Sequence, residues 1–100
     1  MELIIKNENG ITTVDVEGRL DTTNAEAFEK KMAPLMTGDN PDIIMDCDKF
    51  DYISSSGLRL FLTLQKSVMA RKGKLTIKNM KPEIKEVFDM TGFSKIFNII

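Results

Sequence analysis

Histidine is missing from the 100-residue chain, and cysteine occurs once. Without histidine the chain has neither the usual general base near neutral pH nor the commonest metal ligand. A lone cysteine, Cys47, excludes an internal disulfide framework and fits a reducing compartment. It stands in the apolar run Ile43-Ile44-Met45-Asp46-Cys47, which reads as a buried, inert thiol. No cysteine cluster offers zinc spacing, so neither a metal nor a cofactor is expected. Long apolar runs are absent too. None approaches the roughly 18 residues of a membrane span. The start, Met1-Glu2-Leu3-Ile4-Ile5-Lys6, holds three apolar residues between charges, where a secretory signal needs about 7–15 in a row. The expectation is a cytoplasmic protein without membrane insertion. Excess charge is also lacking. Fourteen basic residues against 15 acidic leave a net charge of −1, and nucleic-acid binders carry a basic excess or stripe. The densest basic stretch, Lys66 to Lys74, falls at a helix end, where cations suit the dipole. Nucleic acid is not an expected partner.

What is present describes an ordinary globular chain: 42% hydrophobic and 29% charged residues, without repeats or linker-like stretches. One hundred residues make one domain, 1–100. Residues 2–7 and 11–18 read as two strands joined by Glu8-Asn9-Gly10, a hairpin signal. Ile11, Val14 and Val16 mark most of the second strand's apolar face. Asp21, Thr22 and Thr23 offer N-cap side chains for a helix over about 23 to 36, with Ala25, Phe28, Met32, Leu35 and Met36 inward. Gly38-Asp39-Asn40-Pro41 breaks it. The run from Asp42 to Cys47 has the look of a parallel strand buried on both faces. A second helix starts near Ser54-Ser55-Ser56-Gly57 and runs to about Arg71, with Leu60, Phe61, Leu64 and Val68 inward. Lys74 to Lys78 alternates as a strand. Pro82 to Met90 forms a third helix capped by Gly92, packing through Ile84, Val87 and Phe88. Phe97 to Ile100 is a last short strand. Met32, Met36, Met45, Met69 and Met90 read mainly as core fillers. The order ββαβαβαβ predicts an α/β layer: a mixed sheet, with an N-terminal hairpin followed by parallel strands joined through helices.

Independent catalysis finds little support. Asp46 and Asp48 are paired carboxylates, but they read as an ordinary strand-end loop. The three serines have no histidine beside them and no Ser-x-x-Lys motif. Ser56-Gly57 lacks the further glycine and the Lys-Ser/Thr of a phosphate loop. The informative stretch is Asp51-Tyr52-Ile53-Ser54-Ser55-Ser56-Gly57-Leu58. Its plain reading is a loop whose serines cap the second helix. A sharper reading uses the same geometry. A hydroxyl at a helix start after a buried strand is exposed at one edge of the sheet. A phosphate there meets the favourable end of the dipole. It would add about −1.5 to −2 charges without unfolding the domain.

These residues resemble the STAS-domain family, and within it the anti-sigma factor antagonists. Gly18-Arg19-Leu20-Asp21 resembles the family's Gly-x-Leu-Asp before the first helix. Asp51 to Leu58 resembles its phosphorylation segment, an apolar residue followed by Asp-Ser-Ser-Gly-Leu. Phe88-Asp89-Met90-Thr91-Gly92-Phe93-Ser94-Lys95-Ile96 resembles its C-terminal block. The three blocks stand in the family's order and spacing over residues 11–97.

The resemblance implies a partner-switching cycle and a protein that is not itself an enzyme. The unphosphorylated antagonist binds an anti-sigma factor, a serine kinase of the histidine-kinase-like ATPase fold, and a sigma factor is freed. Phosphorylation separates the pair, and a metal-dependent serine phosphatase resets the cycle. By position the acceptor is Ser55, followed by Ser56 and Gly57, and Asp21 matches the acidic residue in the loop beside it. Thr22, Ser54, Leu58 and Arg59 are assigned to the contact surface as well. In the family the residue before the acceptor is often Asp; here it is Ser54, which leaves Ser54, Ser55 and Ser56 all open as acceptors. A second role, also within the resemblance, is a permanent adaptor subunit of a lipid-transport ATPase complex, with no serine modified.

Overall fold

The computed structural model describes residues 1–100. Its elements follow the order β1 (Glu2–Glu8), β2 (Ile11–Leu20), α1 (Ala25–Lys31), β3 (Asp42–Ile53), α2 (Ser55–Ala70), β4 (Lys74–Lys78), α3 (Pro82–Met90) and β5 (Asn98–Ile99). Two 3-10 turns, Ala33–Met36 and Phe93–Lys95, follow α1 and α3. The ββαβαβαβ series is thus the observed one. The strands lie side by side in the order β1-β2-β3-β4-β5. Asn9 and Gly10 both take positive φ, 51° and 82°, which is the turn whose twist matches a two-stranded hairpin. That turn sets β1 antiparallel to β2, with Glu8 opposite Ile11 and Glu2 opposite Glu17. The remaining neighbours are parallel, and parallel neighbours require the crossovers that the helices supply.

All three helices cover one face of the sheet. Phe28 of α1, Phe61, Leu64 and Val68 of α2, and Ile84 and Phe88 of α3 meet Val14, Val16, Ile43, Met45, Cys47, Leu75 and Ile77 in one cluster of 20 buried apolar residues. Phe61 is its hub, stacked 6.0 Å from Phe28 and 5.7 Å from Phe50 and edge-on to Phe88 at 5.9 Å. The opposite face is open. There Ile44 and Asp46 are only half-buried and Thr13 is exposed. The expected burial of β3 on both faces is therefore corrected: Ile43, Met45 and Cys47 point into the helix layer, while Ile44 points to the uncovered side.

Other boundaries moved for identifiable reasons. The helix expected to 36 ends at Lys31, because Pro34 has no N–H to continue the ladder; the chain tightens into a 3-10 turn instead. β3 does not stop at Cys47 but runs to Ile53, so Asp46 and Asp48 lie within a strand and not in a strand-end loop. Its pairing with β2 shifts between Asp15 and Glu17 and again between Gly18 and Arg19. Such irregularities break the alternation by which a strand is read. Ile11 shares its side with Thr13 and Asp15 and is exposed, whereas Thr12, Val14 and Val16 face the helices. Met69 and Met90 are exposed rather than core, and the last strand shortens to Asn98–Ile99. Gly92 follows α3 with φ 79°, the left-handed conformation that ends a helix.

Candidate functional site

β2 and β3 finish side by side, with Arg19 opposite Tyr52 and Leu20 opposite Ile53. One step further, the Ser54 N–H donates to the Leu20 carbonyl at 2.8 Å. This bond fastens the start of α2 against the loop that leaves β2, so the Asp21 turn and the serine segment form one surface.

The serines divide the work of starting α2. Ser54 has extended backbone (φ −89°, ψ 172°) and is the N-cap; its Oγ accepts the Gly57 N–H at 3.2 Å. Its carbonyl accepts the Leu58 N–H at 2.9 Å, the first bond of the helix. Ser55, the first helical residue, is exposed, and Ser56 is half-buried. Gly57 is present for a steric reason: a Cβ there would lie 2.6 Å from Leu20 Cγ and 3.1 Å from Ile53 Cγ1. Only a residue without a side chain lets the helix start approach the two strand ends so closely.

The Asp21 turn is held by its own polar groups. Asp21 Oδ1 accepts the Thr23 N–H at 2.9 Å and the Thr23 hydroxyl at 2.6 Å. The Asp21 N–H donates to Asn24 Oδ1 at 2.9 Å, and Asn24 Nδ2 donates to the Arg19 carbonyl at 2.8 Å. The Thr23 hydroxyl is the main influence holding the Asp21 carboxyl below its ordinary range; desolvation opposes it, and backbone N–H groups and the Arg19 charge add smaller effects in the same downward direction. The carboxylate is therefore ionised at neutral pH. As for the expected cap of α1, Asn24 occupies that position without a side-chain capping bond. Asp21 and Thr23 are spent on their own turn, while Thr22 is exposed.

Around this surface, Arg19 lies over the Tyr52 ring, its guanidinium carbon 4.3 Å from the centroid. Both are exposed, and such a contact is worth about 0.5–1 kcal/mol, enough to orient the pair but not to anchor it. Asp51 is paired with Lys81, the residue that precedes α3. Of the residues assigned to the contact surface, Asp21, Thr22, Ser54, Ser55, Ser56 and Arg59 reach solvent at least in part. Leu58 does not: it is 6% exposed and belongs to the core, so it shapes the surface from beneath. Gly57 is buried likewise. Sequence reading missed Asn24 as the brace of the turn and the Arg19–Tyr52 stack. Asn24 carried a signal, since asparagine favours side-chain bonds to nearby backbone. The stack carried none, because the strand pairing that makes Arg19 and Tyr52 neighbours is not local. No group of three or more His, Cys, Asp or Glu side chains converges as metal ligands would, and no helix is long and apolar enough to cross a membrane.

The chain as a whole is similar to known proteins. The family model described as the STAS domain matches residues 2–100. A proposed anti-sigma factor antagonist of Bordetella bronchiseptica is 31% identical over 99 residues, covering 99% of this chain and 85% of its own. The anti-sigma-B factor antagonist of Bacillus subtilis is 30% identical over 94 residues, covering 94% and 84%. Among solved structures, a proposed anti-sigma factor antagonist from Thermotoga maritima superposes with a TM-score of 0.86 at 20% identity, over 97% of this chain and 84% of that one.

Proposed function

That this chain belongs to the STAS-domain family is the premise from which we propose its role: an anti-sigma factor antagonist that works in the cytoplasm by partner switching on the Ser54–Ser56 surface. Unphosphorylated, it binds an anti-sigma factor that is itself a serine kinase of the histidine-kinase-like ATPase fold, and a sigma factor goes free. Phosphorylation of Ser55 ends the complex, and a metal-dependent serine phosphatase restores it. The protein acts by binding, with no reaction of its own.

The observation that carries the reading is the division among the serines. Ser54 Oγ is engaged as the helix cap, and Ser55 stands exposed one residue later, at the positive end of a 16-residue helix. A kinase can take the Ser55 hydroxyl without undoing the cap. The phosphate would add about −1.5 to −2 charges on a surface that already holds the ionised Asp21. Covered by a partner that supplies no counter-ion, that charge must be desolvated unpaired. A cost of about 3–4 kcal/mol, typical of an uncompensated buried charge, weakens a complex roughly 150- to 700-fold. That magnitude is sufficient for a switch. Arg59, exposed one turn along the helix, and Thr22 complete the contact surface.

Mass spectrometry of the protein from its native cells tests the reading. A fraction carrying one phosphate on Ser55 is the expected result. A phosphate on Ser54 or Ser56 overturns the choice of acceptor, and none under any growth condition favours the permanent ATPase adaptor. In binding assays with the kinase, Ser55→Ala is expected to bind constitutively and Ser55→Asp poorly. Equal affinities would sink the charge mechanism.

A further inference from the structure

β1 is the outermost strand on one side of the sheet. The Asn9-Gly10 turn closes on the Glu8–Ile11 pair, and a two-residue hairpin closes on a pair that exchanges both backbone hydrogen bonds. Counting back by twos, Lys6, Ile4 and Glu2 spend their backbone groups on β2, opposite Thr13, Asp15 and Glu17. Leu3, Ile5 and Asn7 therefore direct their N–H and C=O groups to the free edge, where another strand could pair. The side chains divide the same way. Leu3 and Ile5 are half-buried against the core, whereas Glu2, Ile4 and Lys6 are exposed on the open face. At the other side of the sheet β5 has only two residues and offers no comparable edge.

Charge on this edge is unbalanced within one chain. Glu2 lies opposite Glu17, a like charge, and Lys6 lies opposite the neutral Thr13. Neither Glu2 nor Lys6 takes part in any of the ion pairs. We propose that β1 pairs antiparallel with β1 of a second copy, about a two-fold axis at Ile4, so that Glu2 faces Lys6, Leu3 faces Ile5, and Ile4 faces Ile4.

Parity and charge select this register. Moving the pairing by one residue sets inward-facing side chains against outward-facing ones. Moving the axis to Ile5 puts Glu2 opposite Glu8 twice, and like charges directly opposite are destabilising. Moving it to Leu3 leaves Lys6 without a carboxylate. With the axis at Ile4 the two-fold makes the Glu2–Lys6 pair occur twice. Both helix layers stay on the same side of one continuous sheet, and Leu3 and Ile5 extend the core across the junction. The paired segment is short, so the association is weak and depends on concentration. Ser54 and Ser55 follow β3, two strands inward from this edge. The proposal therefore does not rest on the switch and leaves that surface free on both copies.

Sedimentation of the purified protein over a concentration series, with amide exchange read by NMR, tests it. The expected result is a monomer–dimer equilibrium in which Leu3, Ile5 and Asn7 amides gain protection as concentration rises. Glu2→Lys and Lys6→Glu should each dimerise about tenfold more weakly than the parent, because each replaces attractive pairs with like-charge ones. A one-to-one mixture of these two variants should recover dimers, since every facing pair is then opposite in charge. Both substitutions are at exposed positions, and a circular dichroism spectrum checks that each variant is folded. A monomer at all concentrations overturns the proposal. So does a dimer that Lys6→Glu leaves intact, or one whose protected amides lie elsewhere.

Discussion

At the scale of single residues, the surface rests on three neighbours with three different duties. Ser54 is worth its capping bond: Ser54→Ala should lower stability by about 1 kcal/mol in urea denaturation, while Ser55→Ala, at an exposed position, should leave stability nearly unchanged. Equal losses for the two would contradict the assignment of the cap. Gly57→Ala sets two effects against each other. Alanine is a better helix former by about 1 kcal/mol, but its Cβ would press on the wholly buried Leu20 at 2.6 Å, and overpacking costs about 1–3 kcal/mol. The clash should win, giving a net fall in denaturation midpoint; a rise would mean that the helix start can back away from β2 without loss. The serines were visible in the sequence because serine before a helix is a local rule, whereas Gly57 stood out only through the family resemblance, its close approach to Leu20 being long-range. The sequence could not rank the three hydroxyls. That ranking depends on Ser54 being tied to Leu20, a residue 34 positions earlier whose proximity exists only after β2 and β3 have paired.

At the scale of elements, agreement follows the range of the interaction that fixes each one. The Asn9-Gly10 hairpin, the Pro82 start of α3 and the helical spacing of Phe61, Leu64 and Val68 are local signals, and each element stands where they put it. β3 extends six residues beyond Cys47 because Lys49, Phe50, Tyr52 and Ile53 pair with β2 through shifted register, a constraint that no alternation within β3 announces. The joint between α1 and α2 is another long-range device. Arg71, at the end of α2, donates from Nη2 to the Leu35 carbonyl and from Nη1 to the Thr37 carbonyl, both at 2.7 Å, and from Nε to Ser67 Oγ at 3.1 Å. It thereby fills carbonyls that the 3-10 turn after Pro34 leaves without partners. Hydrogen bonds from a charged donor are worth about 1.5–3 kcal/mol, so Arg71→Ala should lose about 2 kcal/mol in chemical denaturation. Arg71→Lys should recover only a fraction, because one ammonium cannot reach carbonyls that a planar fork spans. Full rescue by lysine would reduce the clamp to simple charge.

At the scale of the whole molecule, one layer of helices on one face of a mixed sheet gives a slab with extents of 32 × 26 × 20 Å. The α/β class and the order of elements along the chain were legible from the sequence, but the single covered face was not, since Ile43-Ile44-Met45 reads the same whether one side or both are packed. Cys47 reports on the integrity of the slab. Burial, with Asp46 beside it, pushes its thiol up to about 12 from an ordinary 9.0. The native state holds this proton more tightly than the unfolded chain, so the contribution is fully present below pH 9.0 and is lost as the pH rises towards about 12. Native protein should resist thiol alkylation at pH 8 and react once unfolded; rapid labelling of the folded state would show the core to be open. At the acid end the sign reverses. Asp21 and Asp89 are held below their ordinary range by hydrogen bonds, from Thr23 and from Ser94 and Lys85 respectively, so their contribution falls away as the pH drops beneath that range. A last consequence follows from the way Ser54 caps α2 while Ser55 beside it stays exposed. Under the proposed switch, a scaffold rewritten at Ser55 without loosening its cap would store a message as a mark and not as a shape. The lifetime of such a message would then be set by the proposed enzymes that write and erase it, so one fold would serve fast and slow signalling alike.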